Sequence, residues 1–117
     1  MACVHEFGIV EDISALPEDI GYEPERYGCI WIDDDAPYID DWWSRLVEIP
    51  TYWENLHRPE HSLARWGITL IPPESLPAFG EIVKSDPRIK TDQQLAELSR
   101  ILREAIRRDK YVIHFGV

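Results

Sequence analysis

The side chains of this 117-residue sequence best suited to metal ligation or nucleophilic chemistry are Cys3, Cys29, His5, His57, His61 and His114. Cys3 and His5 alternate on one run, so they would meet His114 if the two ends of the chain paired as strands. Three such ligands fall short of the closed set of four that structural zinc takes, and no Cys-x-x-Cys pair occurs. His57 and His61 stand at i,i+4, but Pro59 between them interrupts the helix that would aim both at one ion. Calcium at Asp33, Asp34 and Asp35 would need alternating oxygen ligands, a central Gly and a terminal Glu, and these are not in register. No metal or cofactor is therefore expected. For catalysis, Cys29, His114 and Glu6 supply a thiol, a base and a carboxylate. No nucleophile elbow or phosphate loop organises them, and a buried Cys ordinarily behaves as a small hydrophobe, so no catalytic residue is assigned.

The densest chemistry lies in Asp33-Asp34-Asp35-Ala36-Pro37-Tyr38-Ile39-Asp40-Asp41-Trp42-Trp43, five carboxylates and three aromatics within eleven residues. One reading is a solvated strand-to-helix loop, its acids favouring a helix start and both tryptophans buried. The other is a recognition edge. There Asp33, Asp34, Asp35, Asp40 and Asp41 meet Arg and Lys of a basic partner, and Tyr38 with Trp42 or Trp43 anchors a desolvated centre. Adjacent side chains on a helix point about 100° apart, so Trp42 and Trp43 need not share a face. Glu11, Asp12, Glu18, Asp19, Glu23 and Glu25 would extend the same acidic surface.

Charge supports the second reading. Twelve basic against 22 acidic residues leave a formal net charge of −10, and the excess is one-sided. Residues 1–60 carry 15 acidic and 3 basic side chains, whereas residues 61–117 carry 7 and 9. Such asymmetry produces a directional field that favours a basic protein partner, and it disfavours direct nucleic-acid binding, which rewards Lys and Arg. A hydrophobic content of 44% with five Trp, five Tyr and three Phe is enough for a packed core, so one domain over residues 1–117 is expected. No apolar run of about 18 residues occurs, and the first residues lack a basic region followed by an apolar stretch. A cytoplasmic protein with free, buried thiols is the expectation.

Several elements must position these groups. Alternation over residues 3–10 predicts a first strand, and Gly28-Cys29-Ile30-Trp31-Ile32 a second, central one emerging at the sheet rim beside the aspartates. The intervening residues 11–26 read as an exposed loop holding a short helical turn near Ser14 to Asp19. Ile39, Trp42, Trp43, Leu46 and Val47 lie at helical spacing in a helix over residues 38–49 that Pro50 ends. Residues 52–56 read as irregular or short helix, and Thr51 to Leu63 as a whole is open to strand, helix or loop. A strand over residues 66–71 precedes a helix from about Glu74 to Lys84, with Pro77 in its first turn. The clearest helix begins at Thr91 as cap and buries Leu95, Leu98, Ile101, Leu102, Ala105 and Ile106. Residues 111–117 alternate as a last strand. The order β-β-α-β-α-α-β predicts an α+β domain, one sheet of about four strands with helices mainly on one face.

Cys3-Val4-His5-Glu6-Phe7-Gly8, Tyr27-Gly28-Cys29-Ile30-Trp31-Ile32-Asp33-Asp34-Asp35, Gly67-Ile68-Thr69-Leu70-Ile71-Pro72-Pro73-Glu74-Ser75-Leu76 and His114-Phe115-Gly116-Val117 together resemble a class, the small acidic immunity proteins of bacterial polymorphic toxin and contact-dependent inhibition systems. The resemblance implies a stoichiometric inhibitor that binds a cognate toxin domain, often a nuclease, at its active site or a neighbouring surface. A non-catalytic adaptor or regulatory subunit for another basic protein has the same composition. A small hydrolase or metal-dependent enzyme using His5, His114 and Cys29 is the third reading.

Overall fold

Period-2 alternation of apolar side chains makes Val4–Val10 a strand (β1) with Phe7 and Ile9 on one face, and that face chooses the rest of the core. The computed structural model describes residues 3–117. It continues with strand β2 (Ile30–Asp33), helix α1 (Tyr38–Leu46), strands β3 (Pro50–Trp53), β4 (Pro59–His61) and β5 (Ile68–Ile71), helices α2 (Leu76–Lys84) and α3 (Gln93–Arg108), and strand β6 (Tyr111–Phe115). All pairings are antiparallel, in the order β2-β1-β6-β5-β3-β4. The expected α+β class holds, but the sheet has six strands rather than about four.

The two additional strands lie within residues 50–61, on either side of and overlapping the stretch read as irregular or short helix. Pro50 and Pro59 each open a strand, the position where a missing N–H costs no interior ladder bond. Runs of three and four residues are too short to show a period. The strand ending at Asp33 is corrected from central to edge: β6, the last element, inserts between β1 and β5 and takes the centre. Gln94 of α3 covers part of the exposed edge, its Oε1 accepting from the Asp33 N–H at 2.9 Å and its Nε2 donating to the Asp33 carboxylate at 3.0 Å.

One face of the sheet, with Phe7, Ile9, Ile32, Ile71 and Val112, packs beneath the three helices, which contribute Leu46, Phe79, Val83, Leu95, Leu98 and Leu102. Each such fully buried side chain contributes roughly 1.5–3 kcal/mol relative to exposure. The cap of α3 is Asp92, whose carboxylate accepts from the Gln94 N–H at 2.9 Å; Thr91 instead closes the preceding turn, its N–H bonding the Arg88 carbonyl. Helix α3 ends at Asp109 in a left-handed conformation, with the Lys110 N–H returning to the Ala105 carbonyl.

The other face, with Val10, Leu70, Ile113 and Phe115, is covered by Ile13, Leu16 and Ile20 of the segment expected to be an exposed loop, and by Tyr27 just after it. Two short turns, Ile13–Ala15 and Pro24–Tyr27, shape that segment. Where it crosses β1 there is room only for glycine: a Cβ on Gly8 would lie 2.6 Å from the Tyr27 carbonyl oxygen. Among the described residues no helix is long and apolar enough to cross a membrane.

Candidate protein-binding rim

Antiparallel pairing collects at one end of the sheet the start of β1, the end of β2, the start of β5 and the end of β6. His5, Thr69 and His114 project there on the helix-covered face and are fully buried. They form one hydrogen-bonded chain. His5 Nε2 lies 2.8 Å from Asp34 Oδ1, His5 Nδ1 lies 2.9 Å from His114 Nε2, and His114 Nδ1 lies 3.2 Å from Thr69 Oγ1, which accepts from the Ala64 N–H at 2.8 Å.

Its direction follows from its ends. A carboxylate only accepts and an amide N–H only donates, so with both rings neutral each proton has one place. Ala64 donates to Thr69, Thr69 to His114 Nδ1, His114 Nε2–H to His5 Nδ1, and His5 Nε2–H to Asp34. Burial pushes His114 well below the ordinary histidine value, with His5 adding to the effect. Burial also lowers His5, against the opposing pull of Asp34. Neutral rings are what this chain requires.

Asp34 is also bonded by Arg65, whose NH2 lies 3.2 Å from Oδ1 while its NH1 reaches Asp40 Oδ1 at 2.6 Å. The guanidinium lies 5.8 Å from the ring centre of Trp66, which is 77% exposed. A second arginine repeats the pattern farther along α1. Arg88 joins Asp86 at 2.6 Å and Asp41 at 3.1 Å and lies 4.7 Å from the Tyr38 ring, while Trp42 Nε1 donates to Asp86 at 2.8 Å. Arg88, foremost among its partners, holds the Asp86 carboxyl down at about 2.

The predicted residues therefore divide. Asp33, Asp34, Asp40 and Asp41 all have partners within the chain, and Asp35 stands exposed. Tyr38 and Trp42 are buried and complete the core around Asp86 and Arg88. Trp43, one position from Trp42, turns outward as the helical 100° step allows. Of the catalytic trio, His114 lies on the helix-covered face, whereas Cys29 packs on the opposite face against Gly8, so the sheet separates them. Burial, with Glu6 and Glu25 adding to it, pushes the Cys29 thiol up to about 12, far from a ready thiolate. Both cysteines are free, but they are not the buried thiols expected: Cys3 is exposed and Cys29 half-buried. The described residues contain no cluster of three His, Cys, Asp or Glu side chains able to hold a metal.

Three exposed aromatics of this rim lay outside the predicted set: Trp66, Trp31 and Tyr22. Trp31 pairs across the sheet with Glu6, Glu6 with Phe115 and Phe115 with Ile68, so they form a row on the loop-covered face. Tyr22 stands on that row, its hydroxyl on Glu6 and its ring edge-on to Phe115. Alternation carried the signal for Trp31, because with Ile30 and Ile32 turned one way it must turn the other. Trp66 carried none, since a tryptophan before a strand reads as part of that strand. In comparison with known proteins, the chain matches no family model, no curated protein and no solved structure.

Proposed function

We propose that this chain is a non-catalytic, cytoplasmic binding protein that neutralises a basic protein, a cognate bacterial toxin domain in the reading that the resemblance implies. The observation that carries the proposal is Trp66, 77% exposed beside the Arg65, Asp34 and Asp40 cluster. Large aromatics standing in water are the usual energetic centres of interfaces, and surrounding carboxylates steer a basic partner and speed its arrival. Trp43 and Asp35 extend the surface on the α1 side, and Trp31 and Tyr22 on the loop-covered side. Asp33, Asp34, Asp40 and Asp41 act chiefly through their field, because each already has an internal partner.

The test is capture of a partner on tagged protein from a bacterium that encodes the chain, at moderate salt, with mass spectrometry and stoichiometry. A basic toxin fragment bound one-to-one, with affinity lowered by about 2 kcal/mol or more in Trp66→Ala, supports the reading. A bound partner indifferent to Trp66→Ala and Asp35→Lys overturns the rim. A constitutive homodimer that buries Trp31 and Trp66 overturns the inhibitor reading in favour of an adaptor, and light scattering distinguishes the two.

A further inference from the structure

Helices α2 and α3 lie side by side on the sheet, and their outward faces enclose a groove of about 450 Å³, within the roughly 300–1,000 Å³ that small-ligand sites occupy. Its lining shares no residue with the Trp66 cluster. We infer that this groove binds a small amphipathic carboxylate, a medium-length fatty acid, whose chain lies on the apolar floor and whose head sits between Lys84 and Arg103. The site goes beyond the partner reading above and does not depend on it.

Side-chain size opens the groove. Pro77, Gly80 and Lys84 share one face of α2, and Ala96, Ser99, Arg103 and Ile106 share one face of α3, successive members three or four residues apart. Gly80, Ala96 and Ser99 are too short to fill the space between the helices, and a Cβ on Gly80 would stop at ordinary contact distance, 3.7 Å from Ile106 Cδ1. Ile106, which its spacing predicts to be buried, is left 39% exposed on the wall, and Ile89 closes the floor. From Pro77 to Lys84 the α2 wall runs about 10 Å at 1.5 Å per residue, room for a short acyl chain.

Charge selects the occupant. Of the 12 basic side chains, nine have a hydrogen-bond or ion-pair partner; among the described residues, the three without one are Lys84, Lys90 and Arg103. Lys84 and Arg103 stand on opposite walls of the groove, and Lys90 follows Ile89 of its floor. On α3 itself Arg100, Arg107 and Arg108 each hold a glutamate, and Arg103 alone does not. Glu81 is the one carboxylate of the lining, so the walls carry a net positive charge within a chain of net charge −10. Unpaired cations beside open apolar surface complement an anion with an apolar body. Because the chain as a whole repels anions and Glu81 stands on the wall, a ligand with a single charged head is favoured over an acidic peptide with several.

The experiment titrates the isotope-labelled chain with octanoate and with octan-1-ol and follows amide chemical shifts. The expected result is a saturable shift centred on Gly80, Ala96, Ser99 and Ile106, with an octanoate Kd of about 1 mM or tighter and the alcohol about tenfold weaker. Lys84→Glu and Arg103→Glu change exposed side chains, and each should weaken octanoate about fivefold or more while leaving the alcohol unchanged. Gly80→Leu places a side chain in the groove and should abolish both titrations, with urea unfolding confirming that the variant folds. No saturable octanoate shift overturns the site, and so do shifts centred on Trp31, Trp43 and Trp66, which would mark adsorption to exposed aromatics. Equal affinity for octanoate and the alcohol, or octanoate binding indifferent to both charge reversals, overturns the carboxylate. If Gly80→Leu does not fold, the two charge reversals decide alone.

Discussion

Arg88 and Arg65 are the same device in two settings. Each guanidinium bridges two aspartates and lies beside an aromatic ring, Asp86 and Asp41 with Tyr38 in one case, Asp34 and Asp40 with Trp66 in the other. Around Arg88 the ring and one carboxylate are buried and Trp42 closes the assembly; around Arg65 the ring stands in water. A charge-assisted bond gains strength as water leaves, so the closed assembly holds helix to helix. The open one leaves its aromatic free for something else. Both clusters place one arginine between two aspartates beside an aromatic ring, and burial separates the structural knot from the cluster whose ring stands in water.

Breaking the closed member should cost the most. Trp42→Ala removes a buried indole and leaves Asp86 short of a donor, and urea unfolding should show a loss of about 3–5 kcal/mol. A loss below about 1 kcal/mol would mean that the indole is not part of the core. Next comes Arg88→Ala, expected to destabilise by about 1–3 kcal/mol at pH 7. Because Asp86 is held at about 2, below its unfolded value, its contribution is complete above that unfolded value and is lost as pH falls toward 2. The variant should lack this part of the acid transition, and an unchanged acid limb would assign it to other carboxylates.

The histidine pair sharpens the comparison at milder acidity. Both folded values lie below the ordinary one, so the unfolded state binds more protons as pH falls below about 6.5. Unfolding free energy should therefore decline from pH 7 toward 5, and the decline should flatten in His114→Gln. A wild-type curve flat over that range would mean that the rings do not stay neutral in the folded protein. The smallest effect belongs to the open member: Trp66→Ala should move unfolding free energy by no more than about 0.5 kcal/mol, as for exposed sites generally. A larger loss would make Trp66 structural and remove it from the rim.

Local elements were legible where periodicity ran long. The helix over Gln93–Arg108 and the two terminal strands follow from apolar spacing sustained over several turns or pleats. Strands β3 and β4 were illegible because three or four residues around a proline carry no period, and the edge position of β2 because alternation reports faces and not neighbours. At the site, the aspartates were legible as a dense acidic segment, but their partners were not. Arg65 lies 25 residues from Asp40 and 31 from Asp34, and nothing local announces such pairs.

Composition and order along the chain alone determined the one-sided charge, the α+β class and the separation of Trp42 from Trp43 by a 100° step, since these depend on counts and on backbone geometry. Tertiary structure alone decided which aspartates are occupied, that His5 meets His114 across 109 residues, and that Trp66 stays in water. The physical reason is common to all three. Desolvation and hydrogen bonding depend on what arrives from distant parts of the chain, and only closing the sheet with β6 at its centre brings those parts together.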